Sequence, residues 1–131
     1  MTSAKPALSD KRRAERRGRH SETVAALVLM LKGYRIIERR VRTHAGEIDL
    51  VALAPGGIVC FVEVKSRARH AQAIESLGPR QQARIARAAE LYLARKPGLG
   101  AKGVRFDAVT LAPGVWPKHI RDAWRPDAGW R

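Results

Sequence analysis

The sequence predicts an α/β domain with a central mixed sheet flanked by helices and elements in the order αβββαβ. Three stretches carry that expectation. Val24 to Leu31 is apolar nearly all round, as a helix buried against a sheet would be. Glu47–Leu53 and Ile58–Lys65 are rich in β-branched residues and flank the turn-forming run Ala54-Pro-Gly-Gly57, which reads as a hairpin. Pro79 to Arg95 repeats its apolar residues at helical spacing.

In chain order, residues 1–9 show little periodicity and are expected to be mobile. Asp10 suits a helix N-cap, Lys11 to Lys32 reads as helix, and Gly33 suits its stop. Gly18 leaves a later start near Ser21 open. Tyr34 to Val41 reads as a first strand, followed by the hairpin. Ser66 to Leu77 reads as a basic, polar loop. Pro79 suits the first turn of the next helix, with Ile85, Ala88, Ala89, Tyr92 and Leu93 facing inward. Arg80, Arg84 and Arg87 form a basic stripe on that helix. Val104 to Leu111 reads as the last strand. Ile120 and Trp124 are placed to pack back on the core, and 126–131 reads as a mobile tail. The folded domain is therefore expected over 10–125.

The chain has 131 residues, with 26 Lys+Arg against 12 Asp+Glu, a formal charge of +14. That length suits one domain with a core that needs no staples. An apolar share of 45% excludes wholesale disorder. No apolar run approaches the roughly 20 residues that span a bilayer. The first twenty residues carry seven basic and two acidic side chains and no apolar segment, unlike a secretory signal. Cys60 has no partner for a disulfide and reads as a buried small hydrophobe. The four histidines lack metal-ligand spacing. A cytoplasmic protein with a nucleic-acid partner is the expectation, and a membrane partner is not. The N-terminal cluster that includes Arg16 and Arg19 is a candidate phosphate contact alongside Arg80, Arg84 and Arg87.

The hairpin carries the chemistry. A three-residue loop over Pro55–Gly57 pairs Ala54 with Ile58 and sets Asp49 opposite Glu63, with Cβ atoms ~5 Å apart on one face. Alternation puts Lys65 on the Glu63 side of its strand. Opposed carboxylates repel, so a raised pKa, a basic neighbour or a cation should compensate. Mg²⁺ typically takes one or two carboxylates and completes its shell with water and phosphate oxygens, beside which a lysine meets developing charge. A Glu-x-Lys tripeptide on a strand is often an ordinary exposed pair. Here its flanks are near-continuous apolar runs, as in a strand covered on both faces, and buried charge needs a reason.

Asp49, followed after thirteen residues by Glu63-Val64-Lys65, resembles the Asp…(Asp/Glu)-x-Lys signature of the PD-(D/E)XK nuclease superfamily. Gly46-Glu-Ile-Asp-Leu-Val51, Phe61-Val-Glu-Val-Lys65 and Arg105-Phe-Asp107 together resemble the YraN family of uncharacterised bacterial proteins, regarded as similar to archaeal Holliday-junction resolvases. The resemblance runs from about Gly18 to Trp124. It implies a restriction-endonuclease-like core in αβββαβ order. It further implies Asp49, Glu63, the carbonyl of Val64 and Glu22 as ligands of Mg²⁺ or Mn²⁺, with Asp49, Glu63 and Lys65 as the catalytic set. Glu47 would stand beside them. That family often carries Gly where Ser21 stands and Lys where Gln81 stands. Analogy with the resolvases also implies a homodimer.

The expected function is a metal-dependent DNA endonuclease, with branched DNA among its candidate substrates. The alternative is a non-catalytic nucleic-acid-binding protein that keeps the nuclease fold. A ribosome- or assembly-associated protein is a third class, expected to bind RNA without regard to Mg²⁺ or Asp49.

Overall fold

The computed structural model describes residues 8–130, and their side chains from residue 18 onward. Helix α1 (Leu8–Leu31) leads into strands β1 (Arg35–Thr43), β2 (Gly46–Leu53) and β3 (Val59–Ser66). Helices α2 (His70–Glu75) and α3 (Pro79–Ala94) follow, then strands β4 (Val104–Leu111) and β5 (Lys118–Ile120). The five strands form one mixed sheet in the order β1-β2-β3-β4-β5. Among the described residues only the β3–β4 pair is parallel, and the α2–α3 segment supplies the long crossover that parallel neighbours require.

Helix α1 starts before Asp10, which is an interior helical residue and not the N-cap, and Gly18 does not interrupt it. It stops at Gly33. There φ reaches 88°, and the Tyr34 N–H turns back to the Leu29 carbonyl at 3.0 Å, a left-handed stop that glycine makes without strain. The hairpin has the expected three-residue loop. Leu50↔Val62 through Leu53↔Val59 are paired, and the Ala54 N–H donates to the Ile58 carbonyl at 2.8 Å.

Two apolar layers cover the sheet. On one face, Ala25, Ala26 and Leu29 of α1 pack with Leu50, Ala52, Cys60, Val62 and Val109. On the other, Ile85, Ala88, Ala89, Tyr92 and Leu93 of α3 pack with Val51, Phe61 and Phe106. Ala86 is buried there as well. Among the described residues, no helix is long and apolar enough to cross a membrane.

Two elements differ from expectation. Within the stretch read as a loop, α2 forms because tertiary contacts anchor it: His70 bonds the Thr110 hydroxyl at 2.7 Å and the Trp116 carbonyl at 3.0 Å, and Ala73 is fully buried. The C-terminal segment contributes β5, and Trp130 packs back on the core. Trp130 donates its indole N–H to the Ala86 carbonyl at 2.7 Å and sits edge-on to Phe106.

Arg105 and Asp107 pair with each other. Asp107 is fully buried on β4 and accepts from Arg105 at 2.7 and 2.8 Å, from His119 at 2.8 Å, and from the Asp122 N–H at 3.0 Å. Burial alone would push its carboxyl up. The hydrogen bonds from Arg105, His119 and Asp122 outweigh that and hold it at about 2. This cluster ties β4 to the C-terminal segment, while Arg105 also reaches the Tyr34 hydroxyl at 2.6 Å.

Candidate functional site

The two hairpin strands separate at the ends remote from their turn. Beyond the Leu50↔Val62 pair, the Val64 N–H donates to Oδ2 of Asp49 at 2.7 Å. Ile48 belongs to the α3-side core and Leu50 to the α1-side core. Strict alternation would put those two residues on one face, so it is interrupted at Asp49. On β1, the neighbours of Arg40 pair in step with these residues (Arg39↔Leu50 and Val41↔Ile48), while Arg40 itself has φ 52°.

This interruption gathers carboxylates. Candidate ligand oxygens of Glu22, Glu47 and Asp49 all lie within 4.8 Å of one another. Glu22 is buried, Asp49 half-buried and Glu47 exposed. Arg40 donates to Glu22 at 2.6 Å, and Arg42 approaches Glu47 at 3.6 Å. A cavity of about 440 Å³ opens beside them, lined by Ser21, Glu22, Asp49, Val64, Lys65 and Arg67 among others.

Glu63 neighbours Asp49 but is not among the residues lining this cavity. It is 5% exposed, its Oε1 accepts from Gln81 of α3 at 3.5 Å, and its Oε2 is buried with no hydrogen-bond partner. Burial first, then the charge of Asp49, pushes its carboxyl up to about 9. Burial likewise raises Asp49, against the opposing pull of the Val64 N–H. An unpartnered buried carboxylate oxygen needs a proton or a cation. The candidate ligand atoms of Glu22, Glu47 and Asp49 are all carboxylate oxygens, the kind a hard divalent cation takes. Glu22, Glu47 and Asp49 could therefore hold a metal ion.

Asp49 and Glu63 remain neighbours, each acting on the other's carboxyl. Glu63 reaches towards α3, whereas Asp49 and Lys65 line the cavity that Glu22 of α1 also lines. The cause is the parting of β2 and β3, where a side chain of one strand bonds the main chain of the other.

Arg80, Arg84 and Arg87 are exposed along α3. Arg84 lines a second cavity, of about 150 Å³, with Gln81 and Glu47. That brings the stripe next to the acidic group. Arg87 also faces Glu90 at 3.6 Å. Arg19 is exposed, and Arg16 lies outside the described side chains. The Cys60 thiol is buried and pushed up to about 12 by that burial, so it is no nucleophile. Sequence reasoning missed two contacts, Arg40 on Glu22 and Gln81 on Glu63. The run Glu38-Arg-Arg-Val-Arg42 held no signal for the first, because a single left-handed residue within a strand has no compositional mark. The Lys-to-Gln departure at Gln81 pointed to the second position without revealing its partner.

Comparison with known proteins follows the same stretch of chain. A family model described as "Uncharacterised protein family UPF0102" matches residues 21–111. A UPF0102 protein of Paramagnetospirillum magneticum is 53% identical over 131 residues, covering 97% of this chain and 100% of the relative. One from Maricaulis maris is 49% identical over 116 residues, covering 88% and 91%. One from Parvibaculum lavamentivorans is 50% identical over 113 residues, covering 86% and 84%.

Proposed function

The chain belongs to the UPF0102 family, and from that premise we propose that it is a divalent-metal-dependent nuclease, hydrolysing DNA phosphodiesters, with branched DNA among its substrates. In this reading the sheet and its flanking helices are a restriction-endonuclease-like core. The observation that carries it is the meeting of Glu22, Asp49 and Lys65 around one cavity, with the buried Glu63 carboxyl next to Asp49. A fold needs no such arrangement, since gathered carboxylates repel one another.

Asp49, Glu63 and Glu22, with the Val64 carbonyl, are the proposed holders of Mg²⁺ or Mn²⁺, and Glu47 stands beside them. When bound, the cation supplies Lewis acidity at phosphate and acidifies water. Lys65 meets the negative charge that builds on the phosphate oxygens. Hydrolysis forms a bond from water oxygen to phosphorus and breaks one ester P–O bond. The leaving oxygen takes the water proton, which gives one hydroxyl and one phosphate terminus. Arg80, Arg84 and Arg87 are the proposed backbone contacts, aided by the overall charge of +14. Arg16 and Arg19 are further proposed phosphate contacts, and a homodimer is the proposed assembly.

A second reading, a nucleic-acid binder without catalysis, draws support from the Arg40 guanidinium already seated on Glu22. The test is cleavage of labelled four-way-junction, flap, duplex and single-stranded DNA with Mg²⁺, Mn²⁺ or chelator, beside Asp49→Ala. Metal-dependent cutting abolished by Asp49→Ala is the expected result. Equal binding by both proteins, without cutting under any metal, selects the binder.

A further inference from the structure

We propose that Arg40 is an internal counter-ion of the acidic cluster, competing with a divalent cation for Glu22. The inference rests on the metal-site reading above and deepens it.

Its first support is contact. The Nε of Arg40 donates to Oε2 of Glu22 at 2.6 Å, and the negative charges of Glu47 and Asp49 act on the same guanidinium. The second is backbone strain. Arg40 has φ 52° in the middle of β1, in the left-handed region that L residues other than Gly, Asn and Asp rarely enter. Its neighbours keep their pairing to β2, so the excursion is confined to one residue. Strain of this kind persists where the surroundings over-determine it, and it collects at functional sites.

The third support is electrostatic need. Three carboxylates whose oxygens lie within 4.8 Å repel one another. Glu63, 5% exposed and with an unpartnered Oε2, adds a further acidic group next to Asp49. A guanidinium on Glu22 offsets part of this repulsion while no cation is present. A cation that takes Glu22 must displace it. The Arg40 side chain is 35% exposed, so on release it has solvent to enter. Guanidinium is suited to meeting phosphate there.

The experiment is titration of Mn²⁺ alone into the full chain near neutral pH, followed by paramagnetic resonance of the free ion and by calorimetry. Arg40→Asn removes the cation and installs a side chain that tolerates positive φ. If Arg40 covers Glu22 nine times in ten, the variant should bind Mn²⁺ about tenfold tighter. The gain should vanish on the Glu22→Gln background. Arg40→Gly, which also accepts this backbone, serves as the second variant, with circular dichroism verifying the fold of each. Unchanged or weaker Mn²⁺ affinity in both folded variants overturns the counter-ion role and leaves the metal site standing. Absence of binding in wild type and Arg40 variants alike, or binding that survives Asp49→Ala, sinks the metal site and the counter-ion together.

Discussion

The Val64 N–H donates to the Asp49 carboxylate at 2.7 Å, so a side chain closes the β2–β3 ladder where the two strands part. The bond opposes the effect of burial on Asp49, yet Asp49 remains above the usual carboxylate range. It also commits one Asp49 oxygen to holding the strands, leaving the other as the better candidate for a cation. Structure and chemistry meet in this one residue, and its neighbours bear the consequences.

Glu63 should make metal-free stability fall with rising pH. Its folded pKa is raised from 4.5 to about 9, so the folded state binds more protons than the unfolded state between those values. The stabilisation is complete below the unfolded pKa and is lost as pH rises through the folded one. Denaturation in chelator between about pH 5 and 9 should show this decline. Glu63→Gln should flatten it, and Mg²⁺ or Mn²⁺ should restore wild-type stability at the alkaline end. A flat wild-type profile would remove the argument that Glu63 is an uncompensated buried acid.

Lys65 lines the cavity with Glu22 and Asp49. On the proposed mechanism it acts on phosphate and not on the cation. Lys65→Ala should slow cleavage by roughly 10²–10³-fold while Mn²⁺ affinity is kept. Loss of Mn²⁺ binding in this variant would assign the lysine to the integrity of the site instead.

The α3 stripe makes a separate prediction, read from binding alone. Replacing Arg80 or Arg84 by Ala should weaken DNA binding at every sequence and reduce the slope of log K against log salt by about 1 each. Arg87→Ala should do less, because Glu90 faces it at 3.6 Å. Slopes unchanged in all three variants would move the nucleic-acid face off α3.

Asp107 belongs to stability. Asp107→Ala leaves Arg105 and His119 without their buried partner and should cost about 3–5 kcal/mol, measurable by urea denaturation. Its carboxyl is depressed from 3.8 to about 2. The stability it contributes is therefore present above the unfolded pKa and lost as pH falls through the folded one. A cost under about 1 kcal/mol would place the cluster among solvent-screened surface pairs.

Much of the fold was legible because its signals are local. The hairpin was readable from Pro55-Gly56-Gly57 and the β-branched runs beside it, and with it the register that brings Asp49 near Glu63. Helix α3 was readable from apolar spacing, and the stop of α1 from Gly33. Helix α2 and strand β5 were not, being six and three residues long. Segments that short have no period to detect and form only because His70 and the β4 edge hold them. The contacts of Trp130 left no local signal either, since its partners Ala86 and Phe106 are far away in sequence.

By itself, the sequence determined the order of the main elements, the basic surface, the pairing of the hairpin and the identity of Asp49, Glu63 and Lys65 as unusual charges among apolar runs. These follow from side-chain periodicity and turn chemistry, which act over a few residues. Only the tertiary structure decided that Asp49 and Lys65 open with Glu22 onto one cavity, that Glu63 turns to Gln81, and that Arg40 leaves β geometry to reach Glu22. Each depends on where two separating strands let a side chain go and on which helix packs above the gap. Strand alternation cannot encode that, because it breaks at the site.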